Sequence, residues 1–209
     1  MADERVQVVS TSEAIADPGP LGLAGFAMTT FILSATNAGR IGSGTAFLTL
    51  AFFYGGLAQL LAGMWEYRRR NTFGATAFSS YGAFWIALAS MVALEHAGYV
   101  EMSGDAMGFW LLAWTVFTFY MWIGSFRLNN ALLAVFTLLF VTFLLLTLGA
   151  FGSAGLGVAG GWTGIATALV AWYASAAGVI NDVSGRVVLP VGPRNTGAAG
   201  PARAAARAG

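Results

Sequence analysis

The sequence predicts an all-α fold of six membrane-spanning helices with both termini cytoplasmic, and three observations predict it. Of its residues, 57% are hydrophobic and only 9% are charged, far below the roughly one-quarter charged fraction of soluble domains. The charges punctuate apolar runs of about 20 residues, the length that crosses a hydrocarbon core of about 30 Å. All ten basic residues are arginines, and nine lie before the first run, between runs two and three or four and five, or after run six; Arg40 alone falls elsewhere. That asymmetry is the positive-inside signature of an even number of spans.

The first run covers Leu21 to Ala38 and opens on Asp17-Pro18-Gly19-Pro20. Aspartate is a good helix cap, and proline is tolerated in the first turn, where backbone N–H groups have no intrahelical partner. The residues before it are acidic overall, whereas a cleaved export signal has a basic flank, so the run is expected to stay in the mature protein. Residues 1–16 read as a cytoplasmic segment. The remaining runs are Ser43 to Tyr67, Ala75 to Ala97, Met107 to Phe126, Leu128 to Ala150 and Leu156 to Val179. Arg68, Arg69 and Arg70 mark one side of the membrane, and Glu95, His96, Glu101 and Asp105 mark the other. The connections are too short for another domain, so residues 17–189 form one transmembrane unit of a multi-pass protein of the plasma or inner membrane. Residues 190–209, rich in Ala, Gly and Arg, read as a disordered cytoplasmic tail; its arginines enforce orientation or touch anionic lipid.

Composition also excludes chemistry. With no cysteine and a single histidine, thiol nucleophiles, disulfides and a histidine or thiolate metal site are not expected. The absence of lysine excludes a retinal Schiff base. No nucleophile, base and orienter fall together in the spans, so no enzyme, cofactor or nucleic-acid partner is expected. The middle of each run lacks Arg, Asp, Glu and His, unlike many pumps with a mid-membrane charge relay.

Helices that are apolar all round show function through their few polar residues, because an unpaired polar group in hydrocarbon costs several kcal/mol. Gly22, Phe26, Thr29, Thr30, Leu33 and Asn37 share one face of the first helix. Gly55, Gln59, Ala62 and Glu66 do so on the second, and Thr163, Thr167, Ala174 and Asn181 on the sixth. These stripes suit either helix packing or a wet solute path. Gly157, Gly160, Gly161 and Gly164 form overlapping small-xxx-small patterns that favour packing. The seven tryptophans include several near span ends, where an interfacial belt is the default reading.

The stretches "DPGPLGLAGFAMTT", "FYGGLAQLLAGMWEYRRRNTFGATAFSSYGAFW" and "GRVVLPVG" resemble the acetate uptake transporter family of bacterial succinate/acetate permeases and fungal acetate transporters, over about Asp17 to Gly192. The resemblance implies a six-helix protomer with its own path for acetate and related short carboxylates, assembled into a ring-shaped hexamer, either channel-like or proton-linked. It places an apolar constriction on Phe26, Tyr81 and Leu139. Candidate lining residues are Asp17, Leu21, Gly22, Thr29 and Thr30 at the first helix, with Asn37, Gln59 and Glu66 further along. The chain departs from the family pattern at Asp17, where the family has asparagine, and an ionised Asp17 would repel a carboxylate or carry a proton with it. A channel for ammonium or another small polar solute, and a non-transporting membrane scaffold or sensor, are the alternatives.

Overall fold

In a computed structural model, which describes residues 15–42 and 46–194, the chain forms six long helices, each long and apolar enough to cross a membrane. They are α1 Gly19–Asn37, α2 Ala46–Arg68, α3 Thr72–His96, α4 Gly104–Ser125, α5 Asn130–Ala150 and α6 Ala154–Ser184. The observed bounds follow the apolar runs, except that α6 continues to Ser184, where Gly185 ends it in a left-handed conformation at φ 60°. Glycine adopts that region without the Cβ penalty, which is why it closes helices. Polar residues start three of the others, α3, α4 and α5: Asn71, Ser103 and Asn129 accept backbone N–H bonds from Gly74, Ala106 and Leu132.

The backbones pack in the circular order α4, α5, α6, α1, α2, α3, and α2–α3, α5–α6 and α1–α6 are the broadest contacts. Small residues let them approach. A Cβ on Gly161 would stand 2.7 Å from the Asn37 carbonyl carbon and 2.8 Å from Ala38 Cα, so α1 and α6 touch backbone to backbone there. Gly160 faces Leu146, and Gly164 faces Ser34, so the glycine repeat of α6 is packing surface on two sides. Hydroxyls lock other pairs: Thr115 to Thr147 at 2.9 Å across α4–α5, and Thr142 to Thr163 at 3.0 Å across α5–α6. The ring closes differently at the α3–α4 seam, where backbones rarely approach and aromatic side chains fill the gap. Phe84 stacks on Trp110 at 5.0 Å and meets Trp114 edge-on at 5.0 Å.

Helix α2 contains a π-helical stretch, Phe53–Ala58, which apolar periodicity does not reveal. One wide turn shifts the phase of everything after it. Gly55 therefore turns into α1 against Thr29, while Gln59, Ala62 and Glu66 keep one face in the regular helix beyond.

The C-terminal end of the described chain is held by specific bonds, so residues 190–194, read as the start of the tail, are fixed against the bundle. The Asn181 carboxamide oxygen accepts from Val188 N and Leu189 N at 2.7 and 2.9 Å, and its Nδ2 donates to Leu189 O at 2.8 Å. The strap then crosses to the start of α5, where Asn130 N donates to Gly192 O at 2.8 Å and Ala131 N to Val191 O at 3.1 Å. These carbonyls satisfy helix-start N–H groups that have no partner within the helix. Residues 195–209 and 1–14 lie outside the described residues, and so do the expectations placed on them.

Candidate functional site

Two cavities lie end to end inside the bundle. The near cavity, of about 310 Å³, opens at the end where α1 begins and is lined from α1, α2, α3, α5 and α6. The far cavity, of about 320 Å³, is lined from α1, α3, α4 and α5, with Phe47 of α2. Phe26, Tyr81 and Leu139 line both, and no other residue does. They are 5%, 3% and 3% exposed, so they form the apolar partition between two wider spaces. The Phe26 and Tyr81 ring centroids are 6.0 Å apart at a tilt of 54°.

The near mouth is polar. Asp17 Oδ1 accepts from Gly19 N at 2.9 Å and pairs with the Arg69 guanidinium. The added acid is thus matched by a cation from the Arg68–Arg70 cluster, and its charge is not presented alone to an approaching anion. Deeper, Glu66 is 2% exposed, and its Oε2 accepts from Asn71 Nδ2 at 2.9 Å. Asn71 follows Arg70, whose left-handed backbone at φ 58° ends the turn, and its Oδ1 caps α3 at Gly74 N. One amide therefore ties the end of α2 to the start of α3 and holds the buried carboxylate. Among the described residues Glu66 is the one buried acid, which its position near a span end does not announce. Gln59 lies between this mouth and the partition, with Oε1 buried and without a protein partner.

The far cavity carries no charged side chain. Thr30, Ser34 and Asn37 supply its polar wall on α1, opposite Thr142 of α5. Thr30 Oγ1 and Trp85 Nε1 are buried and have no protein partner. Trp85 is 3% exposed, so the belt reading fails for it, whereas Trp65 and Trp162 keep about half their surface.

Of the lining residues predicted on α1, the structure places Asp17, Thr30 and Asn37 on the cavities, and it does the same for Gln59 and Glu66 of α2. Three expectations are corrected. Leu21 is 45% exposed and lines neither cavity, because it sits on the opposite side of α1 from Phe26. Gly22 faces the Phe78 ring, where a Cβ would stand 2.7 Å away, and serves the α1–α3 contact. Thr29 is fully buried, donates to Gly25 O at 2.9 Å and packs on Gly55. Asn71, Asn129, Asn181 and Val191 also line the near cavity; Asn181 was visible as part of a stripe, while the strap residue Val191 gave no periodic signal.

Six apolar helices around two cavities in series, with charge confined to the near mouth, have the architecture of a multi-pass membrane protein of the channel or transporter class. The family model described as the GPR1/FUN34/yaaH family matches residues 5–194, and the chain belongs to that family. It is 39% identical over 180 residues to the succinate-acetate/proton symporter SatP of Escherichia coli strain K12, covering 85% of this chain and 96% of that one. It is 42% identical over 174 residues to the ammonia transport outward protein 2 of Saccharomyces cerevisiae, covering 78% of this chain and 61% of that protein. The solved structure of the bacterial acetate channel SatP is similar at a TM-score of 0.83 and 39% identity, covering 85% of this chain and 99% of that chain.

Proposed function

We propose that this protein carries acetate and related short carboxylates across the membrane, through a path in each chain that runs from the near cavity, past Phe26, Tyr81 and Leu139, into the far cavity. The observation that carries this reading is that these three residues are the ones the cavities share. The names of the bacterial relative and of the similar structure supply the substrate class.

The physical difficulty is the charge. An isolated carboxylate in a low-dielectric medium faces a penalty of tens of kcal/mol in the idealised Born limit. Gln59 and Asn71 on one side and Thr30, Ser34 and Asn37 on the other offer neutral dipoles that keep the carboxylate solvated up to the neck. The methyl group suits the apolar neck itself. No cation lines the neck or the far cavity, so binding is weak and passage is channel-like.

Competition tests the reading. In proteoliposomes, uptake of labelled acetate is expected to fall with added formate or propionate and to be unmoved by ammonium or glycerol. Inhibition by ammonium alone favours the solute named for the yeast relative and overturns the carboxylate assignment. We also propose cytoplasmic termini, supported by the arginines clustered at the near mouth, and the homo-hexamer the family resemblance implies. A C-terminal reporter active only in the cytoplasm and a sixfold native mass are the expected results; an inactive reporter or a monomer mass contradicts them.

A further inference from the structure

Tyr81 is the one neck residue with a polar atom, and that atom is turned away from the path. Its hydroxyl lies 2.9 Å from Thr118 Oγ1, across the α3–α4 seam. Thr118 is fully buried and lines neither cavity, so the bond stands behind the neck. The ring is held by aromatic neighbours, with Phe117 edge-on at 5.3 Å, Phe26 at 6.0 Å and Trp114 at 6.2 Å between centroids.

Thr118 also differs from the other buried threonines of α4, α5 and α6. Thr115, Thr142, Thr147 and Thr167 each donate to the carbonyl four residues back, which is how a hydroxyl is usually satisfied inside an apolar helix. Thr118 makes its hydrogen bond to Tyr81 instead. The seam is also where neighbouring backbones rarely approach, so no backbone clamp fixes Tyr81 against α4.

We propose that Thr118 is a positioning residue that keeps the neck apolar by holding the Tyr81 hydroxyl outside the solute path; the inference rests on the neck assignment above. Without this partner the phenol is an unpaired buried hydroxyl, on a residue that borders both cavities. Tilting toward them puts a polar group and water into the constriction. The neck then loses its preference for a solute with an apolar end over one that is polar throughout.

Thr118→Val removes the hydroxyl at nearly constant shape, and Thr118→Ser keeps it. Reconstituted Thr118→Val is expected to lower the acetate-to-glycerol flux ratio about tenfold, the effect of one lost hydrogen bond of about 1.4 kcal/mol. Its osmotic water permeability is expected to rise with it. Thr118→Ser is expected to stay within about twofold of the unmodified protein. In a Tyr81→Phe background there is no hydroxyl to release, so adding Thr118→Val is expected to change nothing further. A general loosening of the seam predicts the opposite, an equal effect of Thr118→Val with and without the tyrosine hydroxyl, and that result overturns the proposal. So does a Thr118→Val protein that matches the unmodified one in both flux ratio and water permeability. Should Thr118→Val fail to reconstitute, Thr118→Ala takes its place under the same criteria. If the unmodified protein conducts no acetate, the functional reading fails, and glycerol and water permeabilities still decide the role of Thr118.

Discussion

Phe26→Ala is expected to raise glycerol and succinate fluxes about tenfold relative to acetate, the change that about 1.4 kcal/mol of barrier produces. Phe26 supplies a large apolar group at the point where both cavities meet, and it is 5% exposed because Tyr81 and the surrounding core close over it. Hydrophobic constrictions exclude polar solutes by dewetting, so selectivity depends on diameter as well as apolarity. Truncating the ring joins two spaces of about 310 and 320 Å³ and lets water bridge them. Bilayer integrity is unaffected, because Phe26 faces the bundle interior. Parallel flux assays with labelled acetate, succinate and glycerol check the prediction, and an unchanged ratio in protein that is correctly inserted contradicts it.

The second large effect is structural. Gly161→Val is expected to destabilise the bundle by about 2–3 kcal/mol, the upper part of the usual range for overpacking. Its Cβ would lie 2.7 Å from Asn37 C and 2.8 Å from Ala38 Cα, and these are backbone atoms that no rotamer change moves. The α1–α6 contact is among the broadest in the molecule, and α1 carries Phe26, Thr30 and Asn37. Separating the two helices therefore lowers stability and displaces the neck together. Thermal unfolding in detergent reads the effect as a loss of about 4–12 °C at 2–4 °C per kcal/mol for a chain of this size class. Gly155→Val, on the same helix with nothing within 4 Å of its Cβ, is the control and should leave the transition in place.

The spans were legible because hydropathy and charge position alone define them. The path was legible in part, and α1 shows why. At 100° per residue, the residues beyond the first turn of α1 that meet the cavities run from Leu33, about 20° to one side of Phe26, through Asn37 and Thr30 to Ser34, about 80° to the other. A stripe centred on Phe26 is therefore rotated by about 30° from the true inner face. That offset brings in Gly22 and Thr29 and leaves out Leu23 and Ser34. Thr29 looks like a pore hydroxyl in sequence, yet it bonds its own helix, a choice that apolar periodicity does not encode.

Other parts of the site had no sequence signal of the kind periodicity supplies. The π turn in α2 changes the facing of Gly55 relative to Gln59. Asn71 acts through two hydrogen bonds from a connection only three residues long. Thr118 is a single hydroxyl on an apolar helix, and its importance depends on Tyr81, which is 37 positions away in the chain. Asp17 was the conspicuous departure in sequence. The structure supplies the Arg69 partner that a linear reading cannot place beside it.

The most direct test of the path is labelled-acetate uptake into proteoliposomes by the unmodified protein and by Leu139→Trp. Leu139 is 3% exposed and shared by both cavities, so an indole there fills the partition without touching the mouths. Robust uptake is expected of the unmodified protein and at least a tenfold loss in Leu139→Trp, about 1.4 kcal/mol or more of added barrier. Equal uptake by a correctly inserted Leu139→Trp protein would show that acetate does not pass between Phe26, Tyr81 and Leu139.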